Sequence, residues 1–481
     1  MPAATRLDPS PRLSLSERDE SRLRERLEHA LARARRSGRR VLAALTVTLP
    51  GDVDPVAVVC ASRQDGETWQ LFEQPDRQRR ALAALGEASR IEARGADRFA
   101  AAARQWRELI GRGLFDPPQG AGPEGPLALG GFAFAPHGGR DPHWSGFDSG
   151  SLVVPEVALS RCGSRVSMTL TALVSPDDTA EERARALSER VGALRERPLP
   201  LLDPAPVARS RVVSAMPPEH YEEAVARAVE RIGAGTLEKI VLAREVQVHG
   251  SVAHDPAGVI AVLREEFPTC FVYLVGRGER AFLGASPELL VRREGLRAAT
   301  LALAGSTRRS SDPAVDAHLG EQLLRSDKNR GEQAIVARRI EQALRPVSVW
   351  VTAAPEPTLV RVANIQHLAT PVRAQLHEPI DVLDLLARLH PTPAVGGEPG
   401  PTAARMIPAL EGLDRGWYAG PVGWTDASGD GEFCVALRCA LLAGPLARCY
   451  AGAGIVHDSE PASELAETEI KLQAMLPVLL A

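Results

Sequence analysis

The chain has 481 residues, 44% hydrophobic and 25% charged, with a formal net charge of −4. That length and balance suit a globular protein of one large domain or two to three ordinary ones, and they exclude the basic excess by which nucleic-acid binders meet phosphates. No run of about 18 apolar residues is present to span a membrane, the N-terminus lacks the apolar core of a secretory signal, and aromatic residues, at 4%, are too few for a base-stacking platform.

Residues 1–14 read as a disordered tail and 15–37 as a helix, its arginines interleaved with Glu25 and Glu28. Segments 41–48 and 57–60 carry the β-branched residues of strands. Residues 79–112 are helical in character, broken near Gly95. After the proline- and glycine-rich stretch 117–126, LALGGFAF at 127–134 reads as a buried strand. Segments 151–160 and 166–174 predict paired strands, and 180–197 an arginine-rich helix. RPLPLLDPAP at 197–206 is the clearest linker.

In the second half, Ser214 is expected to cap a helix that runs to Ile232 and ends at Gly233 and Gly235. Strands are predicted at 239–248, 271–275, 281–285, 289–293, 347–352, 360–368, 420–425, 433–442 and 447–451. Residues 312–345 are largely helical, and 462–479 form the last helix. Runs of strands separated by long helices predict an α+β protein rather than alternating βαβ units. The six cysteines are scattered without CxxC spacing, so neither a zinc site nor a disulfide framework is indicated and a cytoplasmic setting is expected.

Of 57 basic residues only three are lysines: Lys239, Lys328 and Lys471. Arginine supplies positive charge everywhere else, so a retained lysine points to a need for a compact ammonium or a nitrogen that can lose its proton. Lys239 sits beside the apolar run Ile240–Val241–Leu242, where one reading is an amine whose desolvation favours the neutral form and the other a strand-end lysine whose head snorkels to water. Glu288 follows the Ser286–Pro287 turn and precedes an apolar strand, where one reading is a carboxyl of raised pKa that suits a general acid and the other a turn glutamate in water. On the last helix Glu464, Glu467 and Lys471 stand at i, i+3 and i+7 and share a face. Asn329 and Glu332 stand at i and i+3 on another helix, so a hard cation shared between the two helices is one reading. Solvated helix faces with a simple Glu467–Lys471 pair are the other. Arg438 lies in the apolar strand CVALRCALL and requires an anionic partner, either a substrate carboxylate or an internal acid. His367 can donate a hydrogen bond to a substrate, or be a satisfied core histidine. Gly452 and Gly454 allow close backbone approach to an anion.

Nine strings in order, from KIVLAREV, GASPELLV, LALAGSTRR and SDKNRGEQAIV through QHLATPV, HPTPAVGGEP, DRGWYAGPVGW and GDGEFCVALRCA to AGAGIVHDSEPASELAETEIK, resemble the chorismate-binding enzyme family over about 214–479. The first 200 residues match poorly apart from LGGFAF. The resemblance implies a single α+β domain over 15–481, with a variable half at 15–205 and a motif-bearing half at 206–481. Its core would be a large antiparallel sheet, a two-layered sandwich with helices outside. It implies Mg²⁺ held by Glu332 and Glu467 with support from Glu464; Asn329 stands where several relatives carry an acid. It places Gly305, Ser306, His367, Ala394, Tyr418, Arg438, Gly452, Gly454 and Lys471 around chorismate, with Lys239 as general base and Glu288 as general acid. A lysine at the base position is the mark of branches that use water, the isochorismate and salicylate synthases, rather than ammonia-using anthranilate synthases. Ala394, where salicylate synthases carry threonine, matches the isochorismate-forming branch. A non-catalytic, ligand-binding relative is the alternative from another class. A monomer without nucleic-acid or membrane partners is expected.

Overall fold

The computed structural model describes residues 13–118, 122–202 and 210–480. The expected tail at 1–14 lies mostly outside the described residues, as does the end of the 197–206 linker. Two antiparallel sheets, of twelve and ten strands among the described residues, face each other. The larger runs from Val41–Leu49 at one edge, through Trp69–Gln74, Phe271–Arg277 and Arg280–Ser286, to Leu446–Ile455 and Lys239–His249. The smaller runs from Ser348–Ala353 through Ile365–Leu376, Arg297–Arg308, Gly431–Val435 and Pro421–Asp426 to Ser89–Glu92. Strands of the first half pair with strands of the second in both sheets: Val272 is opposite Glu73, and Val422 opposite Gly131.

Strand periodicity of two explains the packing. On Phe271–Arg277, alternate residues Phe271, Tyr273 and Val275 face the core between the sheets, while Val272 and Leu274 face a second core on the outer side. The second core is covered by the helices Glu17–Ser37, Ala180–Gly192 and Pro256–Glu266. The first contains an aromatic cluster in which Phe282 meets Trp144, Phe147, Tyr273 and Trp417 at 5.4–6.3 Å between ring centres. All six cysteines carry free thiols. Among the described residues no helix is long and apolar enough to cross a membrane.

The α+β reading holds, with local corrections. Residues 57–60 lie in the helix Pro55–Ser62, because Asp54 caps it and Pro55 opens its first turn. The 79–112 segment contains the strands Arg80–Leu85 and Ser89–Glu92 before the helix Arg98–Gly111. The 151–160 run divides into Gly150–Val154 in the smaller sheet and Val157–Cys162 in the larger. Ser214 ends the strand Arg211–Ser214, and the helix Pro218–Gly233 starts after Pro217.

Phe282 is fully buried against four aromatic neighbours. Phe282→Ala is therefore expected to destabilise the protein by about 3–5 kcal/mol, read as a lowered thermal unfolding midpoint. An unchanged midpoint would contradict this packing.

Candidate active site

Lys239 opens the strand Lys239–His249 and is 0% exposed. Its Nζ lies 2.8 Å from Glu332 Oε1, an ion pair without hydrogen-bond alignment. Glu332 comes from the helix Asp327–Leu344, which Ser326 caps by accepting from the Asn329 backbone N–H. On the facing strand Gly454 pairs with Val241. A Cβ there would stand 2.1 Å from Glu332 Oε1 and 3.0 Å from Lys239 Cε, so glycine is what lets this pair form.

The other two lysines repeat the arrangement. On the helix Pro461–Leu472, Lys471 Nζ is 2.6 Å from Glu467 Oε1 and donates to the Gly452 carbonyl at 2.8 Å. Ser306 Oγ donates to the same Glu467 oxygen at 2.8 Å. Burial pushes the Glu467 carboxyl up, but Lys471 and Ser306 outweigh it and hold it below the usual carboxylate range. Lys328, from the neighbouring helix, donates to Glu464 Oε1 at 2.9 Å. Burial, aided by repulsion from Glu467, still raises the Glu464 pKa. Asn329 spends its amide on Ser326 Oγ.

Glu288 lies in the turn between Arg280–Ser286 and Leu289–Glu294. Its backbone N–H donates to Ser286 Oγ at 3.2 Å, and its carbonyl accepts from the Val435 N–H at 3.1 Å. Burial pushes its carboxyl up to about 8, against the lowering pull of Lys239, Lys471 and Arg438. It is thus a carboxylic acid at neutral pH.

Arg438 is not within a continuous strand. It sits between Gly431–Val435 of the smaller sheet and Cys439–Ala443 of the larger, with φ of 50°. The apolar run that looked like one strand is two strands joined at a corner. Arg438 Nη2 donates to His367 Nε2 at 3.0 Å. An arginine can only donate, so this ring nitrogen is an acceptor. Burial, then Arg438 and Lys471, push the His367 pKa well below its ordinary value, while its other contact is the Gly305 backbone. The sequence expectation of donation to a substrate is thus replaced by acceptance from Arg438. Among the described residues no carboxylate pairs with Arg438.

These groups surround one pocket, and every predicted site residue lines it except Lys239 and Glu464. Arg415 and Tyr450 also line it and were not anticipated. Tyr450 stacks on Tyr418 at 5.3 Å. Nothing local marked either residue: Tyr450 lies in an apolar strand, and Arg415 reads as one more surface arginine, beside Asp414 in a turn. The carboxylates offer an oxygen-only donor set suited to Mg²⁺, which takes one or two carboxylates and completes its shell with water or substrate. Among the described residues no three acid, imidazole or thiol groups already form a cage, since each glutamate is turned to its lysine.

A family model described as "Chorismate binding enzyme" matches residues 29–480. The chain is 38% identical over 461 residues to the "Salicylate biosynthesis isochorismate synthase" of Pseudomonas aeruginosa, covering 95% of this chain and 94% of that protein. It is 35% identical to the isochorismate synthase MenF of Bacillus subtilis, covering 74% of this chain and 75% of that one. Among solved structures, MenF, the menaquinone-specific isochorismate synthase of Escherichia coli, superposes with a TM-score of 0.76 at 27% identity, covering 94% of this chain and 99% of that one. The chain belongs to the chorismate-binding enzyme family, and the shared fold is the two-sheet architecture described above.

With ¹³C-labelled glutamate, the signal lost on Glu288→Gln is expected to titrate in the free protein with a midpoint near 8. A midpoint in the ordinary carboxylate range, about 4, would overturn the assignment of Glu288 as a neutral acid.

Proposed function

We propose that this chorismate-binding enzyme is an isochorismate synthase. The observation that carries the reading is a fully buried primary amine, Lys239, within electrostatic reach of a carboxyl pushed up to about 8, Glu288. Glu288 supplies a proton at neutral pH, and in this reading Lys239 acts as the base once it has given up the proton that pairs it with Glu332. Lys239 Nζ takes a proton from water as its oxygen bonds to ring C2. Both ring double bonds shift, C1=C2 to C1=C6 and C5=C6 to C4=C5, the C4–O bond breaks, and Glu288 protonates the departing hydroxyl. One water enters and one leaves, so the reaction is an isomerisation.

The remaining charges suit the substrate. Three lysines are balanced by three glutamates, which leaves Arg438 as a buried cation free to take a carboxylate in a bidentate contact. His367 orients its guanidinium, and Tyr418 and the Gly452 strand form the wall beside it. Glu332, Glu467 and Glu464 would hold Mg²⁺, which when bound supplies positive charge for the second carboxylate of chorismate. Ala394 leaves the wall small where salicylate synthases carry threonine, and this supports the isochorismate-forming branch. The product would enter menaquinone or siderophore biosynthesis; the relatives include a menaquinone-specific and a salicylate-biosynthesis isochorismate synthase. In this reading 15–481 acts as one catalytic unit, a cytoplasmic monomer.

Pure protein with chorismate and Mg²⁺ is expected to yield isochorismate; accumulation of salicylate and pyruvate, or of anthranilate with added ammonia, would reassign the branch. Lys239→Ala is expected to lower kcat by about a hundredfold to ten-thousandfold while chorismate still binds by calorimetry. Because the acid is Glu288–COOH, present below its pKa in the free enzyme, kcat/KM should fall as pH rises through about 8. A pH-independent kcat/KM between 7 and about 9.5, with chemistry limiting, would remove Glu288 from the acid role.

A further inference from the structure

The strand that carries Lys239 has an incomplete neighbour. On one side it pairs with Leu446–Ile455 from Ile240 to His249. On the other, the two-residue strand Gly397–Glu398 covers Lys239 and Ile240, and the Val241 N–H reaches the Gly396 carbonyl at 2.7 Å. Arg211–Ser214 then covers Val246–His249, and the Ala215 N–H reaches the Glu245 carbonyl at 3.0 Å. Between these, among the described residues, no strand lies beside Val241–Ala243. Backbone polar groups buried without partners are costly, so something else has to meet them.

Two side chains do. Glu411 Oε1 accepts from the Ala243 N–H at 2.7 Å, and Arg415 Nη2 donates to the Val241 carbonyl at 2.9 Å. The two are joined to each other by Arg415 Nε donating to Glu411 Oε2 at 3.0 Å. Arg415 Nη1 also donates to the Val395 carbonyl at 2.8 Å, next to Ala394 in the cavity wall. Both residues are only 4% exposed. The guanidinium lies 4.2 Å above the Phe134 ring.

We propose that Glu411 and Arg415 are positioning residues for Lys239: the ion pair stands in for the absent strand and fixes the register of the lysine-bearing segment against the opposite wall. The pair meets one donor and one acceptor of that segment, as a neighbouring strand does. It also ties the segment to the loop before Gly397, so a shift of either would move Lys239 relative to Glu288. Arginine is required because one planar fork serves three acceptors, Glu411, Val241 and Val395, which a single ammonium cannot match. The catalytic consequence rests on the isochorismate synthase reading above; the structural one does not.

The test compares the parent enzyme with Arg415→Lys and Glu411→Gln, using amide hydrogen exchange and steady-state kinetics with chorismate. Exchange protection across 239–245 is expected to fall at least tenfold in Arg415→Lys, with Phe271–Arg277 unaffected. In both variants kcat should fall at least tenfold with KM within about threefold of the parent, because the amine is displaced while Arg438 and its surroundings still bind substrate. Amine labelling gives a further readout: the only lysines are Lys239, Lys328 and Lys471, and Lys239 should label faster in both variants relative to Lys328. Unchanged protection and labelling would overturn the proposal, and so would lost protection with kcat within twofold of the parent. A fall in activity matched by a loss of folded protein would reduce the pair to a structural role. Should Arg415→Lys fail to fold, Glu411→Gln decides. If the parent itself makes no isochorismate, the functional reading fails, whereas exchange and labelling still decide the placement of Lys239.

Discussion

Charge balance among buried side chains is the constraint on which the site depends. A carboxylate or ammonium removed from water is tolerated only beside an opposite charge. Here each lysine of the chain meets one glutamate: Lys239 with Glu332, Lys328 with Glu464, Lys471 with Glu467. The first pair joins the larger sheet to the helix Asp327–Leu344, the second joins that helix to Pro461–Leu472, and the third lies within Pro461–Leu472. A single line of ion pairs therefore locates both acidic helices against the sheet edge. Lysine suits these places because its small head fits where glycines draw the backbone close, as Gly454 shows. A guanidinium in place of Lys239 would overlap Glu332.

Once these charges cancel, the two groups left over define the chemistry. Glu288 has no partner of its own and keeps its proton, because three cations in its field do not offset full burial. Arg438 has a neutral histidine where an acid would ordinarily stand. The site is thus short of negative charge by one carboxylate at least. An anionic ligand relieves that shortage, whereas a neutral or cationic one would leave Arg438 buried and uncompensated.

Much of this was legible in the sequence, and the failures have a common physical cause. Lys239, Glu288 and the two glutamate helices declared themselves because polar residues stand at fixed offsets beside apolar runs. The run 433–442 misled because strands buried on both faces lack alternation, and two such strands in different sheets join through Ala436, Leu437 and Arg438 with no proline or glycine to mark the corner. Residues 151–160 failed in the same way at Pro155. Residues 57–60 looked like a strand by β-branching alone, while the deciding signal, Asp54 followed by Pro55, lay just outside the segment. Glu411 and Arg415 could not be found from local pattern at all. Their importance comes from a gap between two short strands far away in sequence, Gly397–Glu398 and Arg211–Ser214, and no periodicity encodes a missing neighbour.

The corner at Arg438 shows why two sheets, rather than one, are needed. A residue held at φ of 50° without being glycine stores of order 1–3 kcal/mol of strain. It persists because its surroundings over-determine it: the Arg438 carbonyl accepts from the Ala285 N–H at 3.1 Å, and Gly284 leaves room where a Cβ would stand 2.6 Å from that oxygen. The chain leaves the smaller sheet at Val435 and enters the larger at Cys439. The side chain at the crossing is therefore directed into the space between them, where neither sheet alone could deliver it. Glu288 is placed by the same device in reverse, since it sits where the chain passes from Arg280–Ser286 of the larger sheet to Leu289–Glu294 of the smaller. Both crossings are adjacent, because the Glu288 carbonyl accepts from Val435. Glu288 and Arg438 are thus fixed relative to each other by one shared corner.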